Sequence, residues 1–161
     1  MMKLPLVCAL TLISFAGPAL LAQSSSPPRD VAETVLAGNH FKTLSKALRG
    51  AELFNTLKGP GPFTLFAPTD DAFGKLPRGA LDRLLSHPTQ MKRVLLYHVV
   101  PGKHSSEQVK KMSSAKTLEG GTLHIRDTGT KIMINDAALS NPDIECTNGV
   151  IHVIDSVLMP K

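Results

Sequence analysis

One aspartate and one serine stand in spellings that could break bonds. Asp127-Thr128-Gly129-Thr130 matches, letter for letter, the tetrapeptide around the catalytic carboxylate of aspartic proteases. That chemistry needs two carboxylates sharing one proton, so a single copy calls for a second lobe or a dimer. The same four residues also suit a hairpin loop after Arg126, because Asp and Gly are turn residues. Ser113-Ser114-Ala115-Lys116 has the nucleophile spacing of penicillin-recognising enzymes, but their Ser-Asp-Asn and Lys-Thr-Gly partners are absent. A hydrolase using Asp127 or Ser113 is therefore the weaker alternative, and no enzymatic activity is expected.

The six histidines show no short metal-ligand spacing, so neither metal nor cofactor is expected. His40, His87, His104 and His124 read as exposed loop or strand-face residues. His98 and His152 lie inside apolar runs, where a neutral imidazole needs one donor and one acceptor partner. Asp155 sits on an otherwise apolar strand and must find donors too. It is a candidate acceptor for the His98 N–H, in a network that could take in Tyr97 and Thr69.

The elements that would position these groups follow from periodicity and capping. Asp30, with Glu33 three residues on, opens a helix with Val31, Val35 and Leu36 on its apolar side. Asn39 is expected to cap a second helix through Phe41, Leu44, Ala47 and Leu48, and Leu53, Phe54 and Leu57 resume the spacing after Gly50. Phe63–Ala67 is a short apolar run between prolines and reads as a buried strand. Thr69 caps the next helix, with Asp70 and Asp71 in its first turn, where negative charge suits the helix dipole. Two further helices span Ala80–Leu85 and Thr89–Tyr97, and a short one opens at Ser105 with Gln108. The remainder alternates as strands. Thr122–Arg126 and Lys131–Asn135 form one hairpin; Ile144–Thr147 and Val150–Met159 form another through Asn148-Gly149, a tight-turn dipeptide. The last strand is apolar on both faces and should be central. Helices first and strands after indicate an α+β domain.

Composition narrows the setting. Lys3 followed by the apolar run Leu4–Phe15 and a small-residue exit reads as a secretory signal over residues 1–22. Residues 23–29 form a Ser/Pro-rich leader expected to be disordered, and residues 30–160 form one domain. Cys8 leaves with the signal, which leaves Cys146 as a lone thiol and a monomer as the expected state. No apolar tail follows, so neither a membrane span nor a lipid anchor is expected, and the protein should be secreted, extracellular or periplasmic. The formal net charge of +5 is modest and spread out, giving weak attraction to acidic surfaces. Aromatics do not interleave with the cations as nucleic-acid binding would need.

Three blocks carry a resemblance. They are Gly61-Pro62-Phe63-Thr64-Leu65-Phe66-Ala67-Pro68-Thr69-Asp70-Asp71-Ala72-Phe73, then Leu95-Leu96-Tyr97-His98-Val99-Val100-Pro101-Gly102, then Asn148-Gly149-Val150-Ile151-His152-Val153-Ile154-Asp155-Ser156-Val157-Leu158-Met159-Pro160. In this order the chain resembles the fasciclin domain family. The resemblance implies a wedge of two small, mostly antiparallel sheets with helices packed along one side. It also implies a non-enzymatic adhesion or matrix-binding module whose partner is a cell-surface or matrix protein or polysaccharide. In some animal members an Asp-Ile pair and a Tyr-His pair are implicated in ligand contact. Here those are Asp143 and Ile144, and Tyr97 and His98. A soluble periplasmic binder of a small lipid or glycan is the alternative.

The leader reading predicts that the exported protein begins at Gln23. Its intact mass checks this, and a retained Met1 would refute it.

Overall fold

A computed structural model describes residues 29–160, so the expected signal, most of the Ser/Pro-rich leader and Cys8 lie outside the described residues. The chain opens with three helices, α1 (Val31–Ala37), α2 (Lys42–Gly50) and α3 (Phe54–Lys58), before strand β1 (Phe63–Pro68). Next come α4 (Asp70–Gly74), α5 (Ala80–Ser86), α6 (Pro88–Tyr97), β2 (Val99–Pro101) and α7 (Ser106–Lys111). Five strands finish it: β3 (Ser114–Lys116), β4 (Thr122–Asp127), β5 (Ile132–Ile134), β6 (Ala137–Cys146) and β7 (Gly149–Ile154).

The strands pair in the order β2-β1-β7-β6-β5-β4-β3. Every neighbouring pair is antiparallel except β1 and β7, which run parallel. The long β6 belongs to two halves. Its first residues pair with β5, while Leu139 to Cys146 pair with β7 across two register shifts. Such bulges bend a strand and raise its twist, so β6 forms the fold line of an α+β wedge. The far edges nearly close on each other: the Leu118 N–H donates to the Val99 carbonyl at 2.8 Å.

As its two apolar faces imply, β7 is interior, and all six of its residues are buried. Ile151 and Val153 face a core built with helix residues such as Val31, Leu44, Leu48, Leu57 and Leu95. Ile154 faces a second core with Phe66, Leu123, Ile125 and Ile134. Burying a side chain of this size contributes about 1.5–3 kcal/mol each.

Two local expectations are corrected. Asn39 does not cap α2; the helix starts after Phe41, whose ring is buried at the cap position with no side-chain cap. The orphan Thr43 N–H is met instead by Asp70 Oδ1 at 2.8 Å, across the fold, and the Asp70 N–H donates to the His40 carbonyl at 2.9 Å. Burial pushes the Asp70 carboxyl up, but the Thr43 and Lys42 contacts outweigh it and hold the group below its ordinary value. Thr69 does cap α4, accepting the Ala72 N–H at 3.2 Å.

The last hairpin turns one residue earlier than expected. Cys146 pairs with Gly149, so Thr147 and Asn148 are the loop residues and β7 ends at Ile154 rather than Met159. Gly149 is needed for close approach, not for a turn: a Cβ there would overlap the Phe63 carbonyl of the parallel neighbour β1. Asn148 is left to reach outward. Its Oδ1 accepts the Val31 N–H at 2.9 Å, and its Nδ2 donates to the carbonyls of Leu57 at 2.6 Å and Gly59 at 3.0 Å. Its own carbonyl accepts the Phe63 N–H at 2.9 Å.

Asn148 thus joins α1, α3 and β1 at one point. Asn148→Ala should cost about 2–4 kcal/mol, because three backbone groups lose their partner in a part-buried setting. Urea melts check this; a loss below about 0.5 kcal/mol, typical of an ordinary surface change, would refute it.

Candidate functional site

Helix α6 buries Met91, Val94 and Leu95 and so delivers Tyr97 and His98 from its last turn into the interior between the two cores. The Tyr97 hydroxyl donates to the Thr122 carbonyl at 3.0 Å and accepts from Asn135 Nδ2 at 3.2 Å. Asn135 holds a left-handed backbone, φ 53°, in the turn between β5 and β6, and its Oδ1 accepts the His124 N–H at 2.8 Å. Gly121 lies flat against the Tyr97 ring, where a Cβ would come within 2.6 Å of it. Together these residues floor an open cleft of 690 Å³, whose walls include Glu119, His124, Arg126, Asp136, Leu158 and Met159. Arg93 pairs with Glu119 at 3.0 Å.

His98 is 1% exposed and saturated. Its Nδ1–H donates to the Val94 carbonyl at 2.7 Å and its Nε2 accepts the Leu158 N–H at 3.0 Å. Asp155 is therefore not its partner. Asp155 Oδ1 accepts the Ala138 N–H at 2.8 Å, and its Oδ2 lies 3.7 Å from Lys75 Nζ. Burial pushes the Asp155 carboxyl up, but the Ala138 N–H and the Lys75 ammonium prevail and hold it low. The reason is geometric: Asp155 follows the last β7 residue and faces the bend of β6, while His98 faces the segment beyond it. Asp155 and His98 clamp that segment at two points, so it forms one wall of the cleft.

His152 is equally enclosed. Its Nε2–H donates to the His104 carbonyl at 2.7 Å, its Nδ1 accepts the Asp143 N–H at 3.1 Å, and the ring stacks on Phe66. Burial pushes its pKa down. Asp143 takes a left-handed backbone, φ 59°. Its carboxylate accepts both the Ser106 N–H, at 2.8 Å, and the Ser106 hydroxyl, which hold it below the ordinary carboxylate range. Ile144 pairs with Ile151 and packs on the helix-side core. Tyr97 therefore borders the cleft, whereas Asp143 is engaged at the start of α7, so the two residue pairs are not gathered round one point.

Asp127 is not in the hairpin loop as expected but is the exposed last residue of β4, paired with Ile132, and its Oδ1 accepts the Gly129 N–H at 2.8 Å, as an aspartate leading into a turn does. Ser113 is exposed, and among the described residues its side chain has no hydrogen-bonded base. Among the described residues no three His, Cys, Asp or Glu side chains gather as a metal site. Cys146 is half-buried at 3.3 Å from the Thr34 hydroxyl, and burial raises its thiol pKa. Asn135, Gly121 and Leu158 were not singled out by sequence. The only local signal for the first was an Asn-Asp turn after an alternating strand.

Burial pushes the His98 pKa from 6.5 down to about 4, against the opposing pull of the Val94 carbonyl. The unfolded chain therefore binds this proton more readily between those values, and stability falls as the pH falls through that window, by on the order of 3 kcal/mol. His98→Leu should cost about 2–4 kcal/mol at pH 7, leaving two buried backbone groups unpaired. Its deficit should shrink by pH 4.5. Urea midpoints at the two pH values check this, and parallel losses in wild type and variant would overturn it.

The fasciclin domain model matches residues 39–160. An uncharacterized protein of Synechocystis is 40% identical over 130 residues, covering 81% of this chain and 97% of that one. The cell surface glycolipoprotein MPB83 of Mycobacterium bovis is 33% identical over 149 residues, covering 89% of this chain and 66% of its own length. Among solved structures, the fasciclin-type domain pair of the insect cell adhesion molecule fasciclin I superposes with a TM-score of 0.70 at 22% identity, over 83% of this chain and 52% of that one. The last likeness speaks for the fold alone. Fasciclin domains are non-enzymatic adhesion modules. With the matched region covering most of the chain, this protein belongs to the fasciclin domain family.

Proposed function

We propose that this chain is an exported, single-domain adhesion module that holds a cell-surface or matrix ligand in the cleft over Tyr97. The observation that carries this reading is the cleft itself. It is an open concavity of 690 Å³ on a rigid, hydrogen-bonded floor, within a family of adhesion proteins. The leader pattern over residues 1–22 supports export, and no described helix is long and apolar enough to cross a membrane.

The polar residues divide into two jobs. Tyr97 is assigned the cleft floor, and His98 positions its wall through Leu158. Asp143 is assigned to holding α7, and Ile144 to the core. The alternative of a small-lipid binder is less well supported, because an acyl chain needs an enclosed apolar pocket. This cleft is open and carries His124, Arg126 and Asp136. A glycan suits it better.

The test is adhesion of cells to beads coated with the full chain. His124→Ala/Asp136→Ala changes two exposed cleft residues whose side chains make no hydrogen bond among the described residues. Adhesion should weaken about tenfold, as for loss of contacts worth roughly 1.4 kcal/mol, with melting unchanged. Lys46→Ala on the exposed side of α2 should leave adhesion intact. Equal adhesion by both variants would sink the assignment.

A further inference from the structure

The outer face of the β3–β5 half of the sheet has a charge pattern that the core does not require. In β3–β5 the residues Ala115, Leu123, Ile125, Ile132 and Ile134 turn inward and are buried. The opposite parity carries Lys116 across from Thr122, Ser114 across from His124, and Arg126 across from Met133. Directly opposed residues share a face, so these side chains form one outward strip that enters the cleft at Thr122, His124 and Arg126. Lys116, His124 and Arg126 are exposed, and among the described residues their side chains make no ion pair and no hydrogen bond. The β4–β5 loop adds Lys131. Nearby acids are mostly engaged: Glu119 by Arg93, Asp127 by its own turn, and Asp155 by Lys75 and the Ala138 N–H. Among the described residues, Asp136 is the acid that faces the cleft without a hydrogen-bonded partner.

We infer that this strip and the adjoining cleft bind an acidic polysaccharide, with Lys116, Arg126 and His124 meeting its carboxylate or sulfate groups. The inference rests on the binding role proposed for the cleft and names its ligand class. Cations facing solvent without partners attract a polyanion at little desolvation cost. Sugar hydroxyls need both donors and acceptors, and the cleft supplies His124 and Arg126 beside the Asp136 carboxylate. A nucleic acid is less well served, because no Phe or Tyr is exposed among the described residues to give bases a broad stacking platform. A peptide adding as a strand is disfavoured too, because the Leu118–Val99 hydrogen bond draws the two sheet edges together.

The experiment measures binding of the full chain to immobilised polygalacturonate, with dextran, duplex DNA and phosphatidylglycerol vesicles as comparison probes. Binding to polygalacturonate should weaken with salt, and dextran should not bind. Lys116→Glu/Arg126→Glu should lose binding by about tenfold or more. Lys46→Glu/Arg49→Glu, an equal charge change on exposed α2 positions, should lose less than about threefold. All variants should melt with the wild type, because among the described residues none of these side chains has a partner.

Equal losses in the two double variants would overturn the inference, since the attraction would be net charge alone. Comparable affinity for DNA or vesicles would overturn it in favour of a general polyanion or headgroup surface. Adhesion to coated beads that persists in Lys116→Glu/Arg126→Glu would refute the polysaccharide while leaving the adhesion reading in place. Polygalacturonate binding without bead adhesion would do the reverse.

Discussion

The parallel pairing of β1 with β7 is the constraint on which the rest of this fold hangs. It sets Phe63 beside Gly149 and Pro68 beside Ile154, two segments separated by most of the domain. A parallel pair cannot be joined by a tight turn, so α4 to β6 must leave β1 and return to it. The two strands bury side chains on both faces, and each face seeds one of the two cores. The bend in β6 follows, because its first residues must pair with β5 and its last with β7.

Polar residues in and near the apolar blocks serve this arrangement as long-range helix caps. Asn148 accepts the first helical N–H of α1 from 117 positions away. Asp70 accepts the second helical N–H of α2 across 27 positions, and Asp143 the first of α7 across 37. Helix starts leave backbone donors that must be paired, and here tertiary contacts supply acceptors that local sequence does not. His98 and His152 act alike, each donating through one ring nitrogen and accepting through the other to satisfy backbone groups where regular pairing stops. Each imidazole is thereby held neutral in one tautomer.

This division clarifies where function can reside. A carboxylate that completes a helix start, or an imidazole that fills two backbone vacancies, is not available to a ligand without loosening the fold. The solvent-facing strip of β3–β5 and the cleft beside it present Lys116, His124, Arg126 and Asp136, side chains the fold does not use. A rigid floor under those residues, built from Tyr97, Asn135 and Gly121, lets surface charge be presented in a defined pattern.

Much of the architecture was legible along the chain. The apolar, doubly buried β7, the Thr69 cap, the Ser105–Gln108 capping box and the β4–β5 hairpin are local consequences of period and turn chemistry, and the structure contains them. The family also was legible, because its blocks are long. What failed was pairing at a distance. Asn39 was a sound cap by propensity, yet Asp70 holds that helix start. Asn148-Gly149 was a sound turn, yet the hairpin closes one residue earlier, because Gly149 must admit the β1 backbone. Asp155 was a plausible partner for His98, yet each satisfies a different stretch of main chain. Propensity and period act within a few residues and are written in the sequence. Which donor meets which acceptor across 27 or 117 positions depends on how two cores pack against one bent sheet, and only the folded chain decides that.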